Sequence, residues 1–366
     1  MPIIEASGLA RTFTSRKRKV EAVRGVDLTV SGGEIVGFLG PNGAGKTTTL
    51  RMLTTLLRPT AGTATVAGCD LLRDPLGVRQ RIGYVPQAIG ITAGGTDPNC
   101  AVGEELAIQG RAYRLSAAET AERAKLLTDQ LELTGLESRL CKTLSGGQRR
   151  RLDITLGLIH SPSIVFMDEP TTGLDPQSRS NLWEHISGLR SKLGTTIFLT
   201  THYLEEADAL CDRVLVIDHG KIIAEGVPDE LKRQISGDVV TLSVTGDSAQ
   251  AKTILAEYPG VREISLDDRA IRMTVTRGEE ALPGMLRALD AQDITLASIQ
   301  LARPTLDDVF LTLTGRSLRD DSPSANGHSG GEGGTQADDQ NKNDTGDADD
   351  AELTSAGAVA GHPGRS

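Results

Sequence analysis

A glycine-rich run near the N-terminus constrains the fold of this chain more than any other feature. It follows an apolar stretch typical of a buried strand, Glu34–Leu39, and precedes a helical run, Thr48–Thr55. A loop of this kind follows a strand and precedes a helix whose N-terminus faces the bound anion. An α/β fold is therefore predicted. The run fits G-x-x-x-x-G-K-[ST] and is called the phosphate loop below: Gly40, Pro41, Asn42, Gly43, Ala44, Gly45, Lys46, Thr47.

The residue types in the phosphate loop suit ATP and Mg²⁺. Glycines let backbone N–H groups approach phosphate oxygens that a side chain would block. Lys46 brings a point charge to the β- and γ-phosphates, and the Thr47 hydroxyl is a ligand for Mg²⁺. Thr48 opens the helix whose partial positive charge faces the phosphates. We therefore predict that ATP and Mg²⁺ bind here and that Lys46 takes part in catalysis.

A second buried strand ends in two carboxylates. The apolar run Ile164–Met167 is followed directly by Asp168 and Glu169. They lie at the carboxyl end of the strand, the edge at which open α/β sheets bind ligands. Asp168 suits the Mg²⁺ shell, and Glu169 suits polarisation of the attacking water. Alone, the pair is better explained by an ordinary turn; with the phosphate loop present, it predicts ATP hydrolysis.

Between these two features lies Leu-Ser-Gly-Gly-Gln, residues 144–148, followed by three arginines. A Ser-Gly-Gly that opens a helix offers exposed N–H groups and a favourable dipole to an anion. The chain here resembles the ATP-binding cassette (ABC) ATPases, a class of P-loop NTPase whose signature reads LSGGQ. The resemblance implies a head-to-tail dimer with ATP at the interface, either a homodimer or a dimer with a paralogue. In such a dimer ATP contacts four residues of the other cassette: Ser145, Gly146, Gly147, Gln148.

Further ABC motifs follow in the family's order. Gln87 resembles the Q-loop glutamine, which contacts Mg²⁺ and water and touches the membrane subunit. Asp175, in Gly-Leu-Asp-Pro, resembles the D-loop residue, and Phe13, placed in a loop, resembles the aromatic residue that stacks on adenine. His202 resembles the switch histidine that clamps the γ-phosphate. A histidine alone is more often a packed or surface residue than a catalytic one. The place of His202 after the strand Thr196–Leu199, together with the other motifs, favours catalysis.

Short apolar runs alternate with helical stretches over residues 1–232, as in a cassette with a parallel sheet. A helical subdomain is expected over about 88–160, with one amphipathic helix over Ser116–Leu140. The first strands, Ile3–Gly8 and Val20–Val30, are expected to be antiparallel. They would join at a basic turn, Arg16–Lys19. This turn is interpreted as a solvated hairpin turn or as a contact with acidic lipid.

The remaining residues form two further parts. Residues 237–316 follow a β-α-β-β-α-β order, which predicts a small ferredoxin-like α+β domain closed by a helix over Leu306–Thr314. Residues 317–366 contain almost no large apolar side chains and are predicted to be disordered, either as a solvating tail or as a binding segment. This tail carries ten acidic and three basic residues, so it holds most of the net charge of −10.

Composition excludes several function classes. Without its tail the chain is close to neutral, whereas a nucleic-acid-binding domain is usually basic, so no nucleic-acid partner is expected. No run of about 18 apolar residues and no signal-peptide pattern is present. The four cysteines lack metal-ligand spacing and fit reduced thiols better than disulfides. We expect a peripheral protein at the cytoplasmic face of the cell membrane.

The run Arg303–Leu311 resembles the closing motif of the daunorubicin/doxorubicin-resistance type of ABC ATPase. That resemblance implies a separate ABC-2-type transmembrane permease, membrane contact through this permease, and export of a drug or antibiotic of anthracycline type. Residues 88–103 depart from the family's Leu-Thr-x-x-Glu-Asn pattern, which leaves cargo and partner open, so lipid, polysaccharide or sodium export are alternatives.

Non-transport ABC ATPases are a further alternative. Those of translation carry two cassettes, and those of DNA repair carry a long coiled coil inside the cassette. Here one signature follows one phosphate loop, and Ser145 comes 98 residues after Thr47. A binding module that does not hydrolyse ATP would lack Glu169 or His202, and both are present. The sequence therefore favours a transporter ATPase.

Overall fold

The computed structural model describes residues 2–15, 18–87, 96–235, 237–267 and 270–314. Part of the predicted basic turn (Arg16, Lys17), the glycine-rich segment 88–95 and the predicted disordered tail, 317–366, lie outside the described residues. In chain order the strands are β1 (Pro2–Ser15), β2 (Arg18–Ser31), β3 (Ile35–Leu39), β4 (Ala61–Val66), β5 (Cys69–Asp70), β6 (Ile82–Val85), β7 (Ile164–Asp168), β8 (Thr196–Thr201), β9 (Arg213–Asp218), β10 (Lys221–Gly226), β11 (Asp238–Thr245), β12 (Val261–Asp267), β13 (Ala270–Val275) and β14 (Thr295–Ala302).

The helices connect these strands and cover the sheets. In chain order they are α1 (Lys46–Leu53), α2 (Pro75–Arg81), α3 (Val102–Ala112), α4 (Ala117–Gln130), α5 (Gly146–Leu158), α6 (Pro176–Leu193), α7 (Leu204–Leu210), α8 (Pro228–Ile235), α9 (Ser248–Ala256), α10 (Gly278–Asp290) and α11 (Leu306–Thr314).

The central sheet has the strand order β10-β9-β3-β8-β7-β6. Its strands are parallel except β10, which runs antiparallel to β9. Strands β3, β7 and β8 are buried along their whole length, as strands covered on both faces should be. Because β3, β8 and β7 are neighbours, their carboxyl ends meet at one edge of the sheet. This edge brings together the segments that follow each of them.

A second, antiparallel sheet has the order β2-β1-β4-β5 and contains the predicted hairpin. Strand β1 runs further than predicted, and Phe13 pairs with Val20 of β2. Phe13 therefore lies in a strand and not in the expected loop. The pairing of β1 with β2 contains several register shifts, at which an extra residue interrupts the ladder locally.

The helical subdomain differs from the prediction of one helix over Ser116–Leu140. Helix α4 begins at a capping box in which Ser116 and Glu119 exchange hydrogen bonds, and it ends at Gln130. Glu132 and Gly135 follow with φ of 50° and 83°, left-handed values that no α-helix accommodates. Helix α3, which the sequence pattern did not single out, precedes α4 and packs against it.

The third sheet is antiparallel in the order β12-β13-β11-β14, with α9 and α10 packed on it. This confirms the predicted ferredoxin-like arrangement. Helix α11 was predicted to close that domain, but its apolar side chains belong to the core of the cassette instead. Val309 and Phe310 are fully buried in the same cluster as Leu210 of α7 and Leu231 of α8. Helix α8, which precedes the β11–β14 domain, and helix α11, which follows it, thus both pack on the cassette.

Two expectations from composition are also answered by the structure. In the ranges that the structure describes, no helix has the length and apolar character needed to cross a bilayer. The four cysteines are free thiols, as predicted: Cys69, Cys100, Cys141, Cys211.

Candidate functional site

The phosphate loop connects β3 to α1, and none of its three glycines can be replaced without a clash or strain. Gly45 has φ of 110°, a conformation that side chains disfavour, and it is the residue from which α1 starts. A Cβ on Gly40 would lie 2.2 Å from the backbone oxygen of Ile217. The loop is therefore held tightly against β9, and the first N–H groups of α1 remain available to an anion.

Lys46 lies inside the phosphate loop with only 4% of its surface exposed. Its Nζ donates hydrogen bonds to the backbone oxygens of Gly40, at 2.7 Å, and Pro41, at 3.2 Å. It also lies 3.4 Å from Oε1 of Glu169. Burial lowers the pKa of Lys46, while the negative charge of Glu169 acts in the opposite direction. The site thus contains a buried cation with backbone oxygens and one carboxylate as its neighbours.

Asp168 lies at the end of β7 and is 1% exposed. Its Oδ1 accepts hydrogen bonds from the hydroxyls of Thr47, at 3.1 Å, and Thr200, at 2.6 Å. A carboxylate beside a hydroxyl is a set of hard oxygen donors, the type that Mg²⁺ binds in proteins. Among the described residues there is no group of three or more His, Cys, Asp or Glu suited to a metal. Mg²⁺ sites with one or two carboxylates plus substrate phosphates need no such group.

Glu169 follows Asp168 with an unusual backbone conformation. Its φ is 45°, in the left-handed region, which costs a non-glycine residue roughly 1 kcal/mol or more. Its backbone N–H donates both to the backbone oxygen of Thr200, at 3.1 Å, and to the Thr200 hydroxyl, at 3.0 Å. These two bonds hold the turn and aim the side chain towards the phosphate loop, where it meets Lys46.

The Glu169 carboxylate is the point at which the separate motifs meet. Gln87 donates to Oε2 at 2.7 Å, and the Thr172 hydroxyl donates to it at 3.2 Å. Nδ1 of His202 lies 3.3 Å from Oε2, within ion-pair distance, although the ring is not aligned for a hydrogen bond. Burial raises the pKa of Glu169, but His202, Lys46 and Thr172 together hold it below its ordinary value. The group is therefore an ionised acceptor at neutral pH.

The signature and D-loop residues lie apart from this cluster. Ser145 caps α5, since its hydroxyl accepts from the Gln148 N–H at 3.2 Å and its own N–H donates to the Gln148 side chain at 3.1 Å. Asp175 caps α6 by accepting from the Ser178 N–H at 2.9 Å. Within the described part of the chain, none of them makes a hydrogen bond or ion pair to the phosphate loop or Glu169. Ser145, Gly146 and Asp175 are exposed instead.

Phe13 is also outside the cluster, at the surface of the antiparallel sheet. Its ring is 41% exposed, and the guanidinium carbon of Arg11 lies 4.8 Å from the ring centroid. The cation over the aromatic face is a favourable contact that orients the ring. An exposed, oriented ring is suited to stacking on a planar base.

Arg150 of α5 stabilises the backbone on which the site residues lie, a role that the sequence analysis missed. Its side chain is 1% exposed and donates to three backbone oxygens: those of Pro86 at 2.6 Å, Pro170 at 2.7 Å and Asp168 at 3.2 Å. It thereby ties the signature helix to the residue before Gln87 and to the chain on both sides of Glu169. Three successive arginines in the sequence gave no basis for choosing this one.

Asp153, one turn after Arg150, provides a test of electrostatics in α5. Burial raises the pKa of Asp153 to about 6, although Arg150 and Arg149 act to lower it. A raised pKa in the folded state means that stability is lost as the pH rises from about 4 to about 6. The substitution Asp153→Asn removes this effect. We expect the unfolding free energy of the variant, relative to the original chain, to rise by about 2–3 kcal/mol between these pH limits.

Urea unfolding of both proteins at the two pH values measures this difference. The matched control is Asp290→Asn, which alters an exposed carboxylate at the end of α10. It should show no comparable dependence on pH, and a difference of equal size in this control would contradict the assignment to Asp153.

Comparison with known proteins places this geometry in a family. Residues 23–172, which include the phosphate loop, residues 144–148 and Glu169, match the family described as ABC transporter. Residues 226–314 match the family described as ATP-binding protein DrrA1-3-like, C-terminal domain. The chain is 42% identical over 318 residues to the daunorubicin resistance ATP-binding protein DrrA3 of Streptomyces coeruleorubidus, covering 86% of this chain and 97% of the relative. The chain belongs to the DrrA type of ABC transporter ATP-binding proteins.

Two further comparisons agree with this membership. A Nod factor export ATP-binding protein I of Cupriavidus metallidurans is 44% identical over 307 residues, covering 81% of this chain and 94% of the relative. A solved structure, of an ATP binding subunit of an ABC transporter, superposes with a TM-score of 0.55 at 28% identity and covers 63% of this chain and 92% of that one. The predicted ABC cassette fold is confirmed, and this DrrA-type chain is an ATP-binding ATPase.

Proposed function

We propose that this DrrA-type ATPase drives export of a drug or antibiotic of anthracycline type through a separate ABC-2-type membrane permease. The observation that carries the proposal is the 42% identity to a daunorubicin-resistance protein over 86% of the chain, which includes the domain after the cassette. A location at the cytoplasmic face of the membrane, through contact with the permease, follows from this proposal.

The proposed roles at the site follow from its contacts. Lys46 and the phosphate loop bind the β- and γ-phosphates, and Phe13 stacks on adenine. Thr47 and Asp168, with Gln87 nearby, hold Mg²⁺, which neutralises phosphate charge when it is bound. Glu169, ionised and aimed at the loop, accepts the proton of the attacking water. His202 lies beside Glu169 and contacts the γ-phosphate.

Lys46 links phosphate binding to the basicity of Glu169. In this structure Nζ lies 3.4 Å from the Glu169 carboxylate, and that contact helps to hold the pKa of the acid low. A triphosphate in the loop competes for the same ammonium group. When Lys46 turns to the phosphate, Glu169 loses one of the charges that weaken it as a base. Nucleotide binding thus prepares the acid for proton transfer.

Two copies of the chain are proposed to form a head-to-tail homodimer. Ser145 and Gly146 lie exposed at the N-terminus of α5, which favours a negative charge. Their separation from the loop of their own chain leaves them free to contact the ATP of a second copy. Asp175, exposed at the start of α6, is proposed to lie at the same interface.

A different cargo is the second candidate. The relative named for Nod factor export is 44% identical over 81% of this chain, similar to the drug-resistance relative. Cargo identity therefore does not follow from similarity of the cassette alone. Lipid, polysaccharide or sodium export are therefore the alternatives to drug export.

A loss-of-function strain tests the cargo. In cells that produce the chain with its permease, Lys46→Ala removes the buried ammonium group, so ATP turnover and drug efflux should both be lost. Accumulation of a fluorescent anthracycline and growth inhibition by it measure this loss. Lys221→Ala, at an exposed lysine in β10, is the matched control and should leave both unchanged. Lost ATP turnover without any change in anthracycline accumulation would show that the cargo is a different molecule.

A further inference from the structure

Three groups in contact lead from helix α6 to the Glu169 carboxylate. The guanidinium carbon of Arg179 lies 4.1 Å from the ring centroid of Tyr203. The rings of Tyr203 and His202 are in contact, with centroids 4.1 Å apart and planes tilted by 39°. His202 in turn lies 3.3 Å from Glu169. The position of His202 therefore depends on the Tyr203 ring, and that ring depends on Arg179.

Arg179 belongs to the turn of α6 that begins at the D-loop. Its backbone N–H donates to the backbone oxygen of Asp175 at 2.9 Å, so the two residues move together. Its buried Nε has no hydrogen-bond partner among the described residues. The guanidinium lies over the face of the Tyr203 ring. Arg179 is thus oriented mainly by the ring it covers.

Tyr203 is held at its backbone independently of its ring. Its N–H donates to the Thr201 hydroxyl at 2.9 Å, and the Thr201 backbone oxygen accepts from Gly40 at 3.4 Å. A substitution of the ring therefore leaves the path of the chain between β8 and α7 in place. What the substitution changes is the surface against which His202 packs.

We propose that Arg179 and Tyr203 are positioning residues that couple the D-loop helix α6 to His202. With the stack intact, His202 is held against Glu169; when α6 shifts, the ring of Tyr203 shifts and carries His202 with it. This inference rests on the proposed role of His202 in hydrolysis and on the proposed interface at Asp175. Through these contacts, a second cassette that binds at the D-loop changes the position of His202 relative to Glu169.

Steady-state ATP hydrolysis by purified variants of the full chain tests the coupling. Tyr203→Leu removes the ring and should lower kcat about five- to tenfold with little change in KM for ATP, because the stack does not touch the phosphate loop. Tyr203→Phe keeps both ring contacts and should restore kcat. Arg179→Met, which keeps an unbranched side chain but removes the charged guanidinium, should resemble Tyr203→Leu.

Tyr113→Leu is the matched control, because Tyr113 stacks on His160 with ring centroids 3.6 Å apart in the helical subdomain. It should leave kcat unchanged although it removes the same kind of contact. In a His202→Ala background, Tyr203→Leu should cause no further loss, since the positioned group is gone. A double variant slower than His202→Ala alone, or a Tyr203→Phe variant as slow as Tyr203→Leu, would overturn the stacking role.

The His202→Ala variant separates this inference from the proposed function. If it retains full turnover, the role of His202 in hydrolysis is wrong and the coupling fails with it. If it is inactive while Tyr203→Leu matches the original chain in kcat, the role of His202 stands and the positioning role of Tyr203 is overturned.

Discussion

Glu169→Gln is expected to lower ATP turnover by about 10²–10⁴-fold, the usual contribution of a general base. The amide is close in size to the carboxylate but cannot accept a proton from water. Its oxygen can still accept from Gln87 and Thr172, the two hydrogen bonds that now reach Oε2. We therefore expect the variant to fold, to bind ATP and to accumulate as an ATP-bound dimer.

Phosphate release and size-exclusion chromatography with and without ATP measure these two outcomes. Glu184→Gln, an exposed glutamate on α6, is the matched control and should behave as the original chain does. Full turnover in Glu169→Gln would refute the role assigned to Glu169. Lost turnover without a dimer in ATP would leave that role in place but count against the proposed head-to-tail assembly.

The second large effect is expected from Arg150→Leu, which should destabilise the fold by about 3–5 kcal/mol. Leucine removes three hydrogen bonds and leaves the backbone oxygens of Pro86, Asp168 and Pro170 without their donor. It also removes a positive charge that acts to lower the pKa of Asp153. Loosening of both segments that flank the site should lower ATP turnover even where the variant remains folded.

Urea unfolding and ATP hydrolysis under native conditions measure the two consequences separately. The control is Arg151→Leu, the next residue of α5, whose side chain is only partly buried and donates no hydrogen bond to the ends of β6 and β7. Its effect on stability should stay within about 1 kcal/mol. If Arg150→Leu were no less stable than this control, the three-oxygen contact would not be a support of the site.

The elements that could be predicted are those whose signal is local. The strand β3, the phosphate loop and α1 follow from an apolar run, two glycines in special positions and a helical run, all within about twenty residues. The βαββαβ order after residue 237 was equally visible, and the sheet order confirms it. Helix α4 was predicted too long, because the left-handed residues Glu132 and Gly135 end it and only the glycine was a visible signal.

The contacts that build the site were less visible, since they join residues far apart in the chain. Glu169 was identified as a candidate from the sequence, but its left-handed turn depends on Thr200 in β8, 31 residues further along the chain. Thr200 could have been suspected from its place at the end of a buried strand beside His202. Arg150 and the Arg179–Tyr203 stack carry no comparable signal.

The sequence by itself determined the α/β class, the phosphate loop, the two acids and the signature run, because each is specified by neighbours in the chain. Only the tertiary structure decided that Lys46, Gln87 and His202 converge on one carboxylate of Glu169. It also decided that α11 packs on the cassette. Parallel strands that are distant in sequence meet at one sheet edge, and the burial of apolar faces selects a helix's partner. Neither choice is encoded in local propensity.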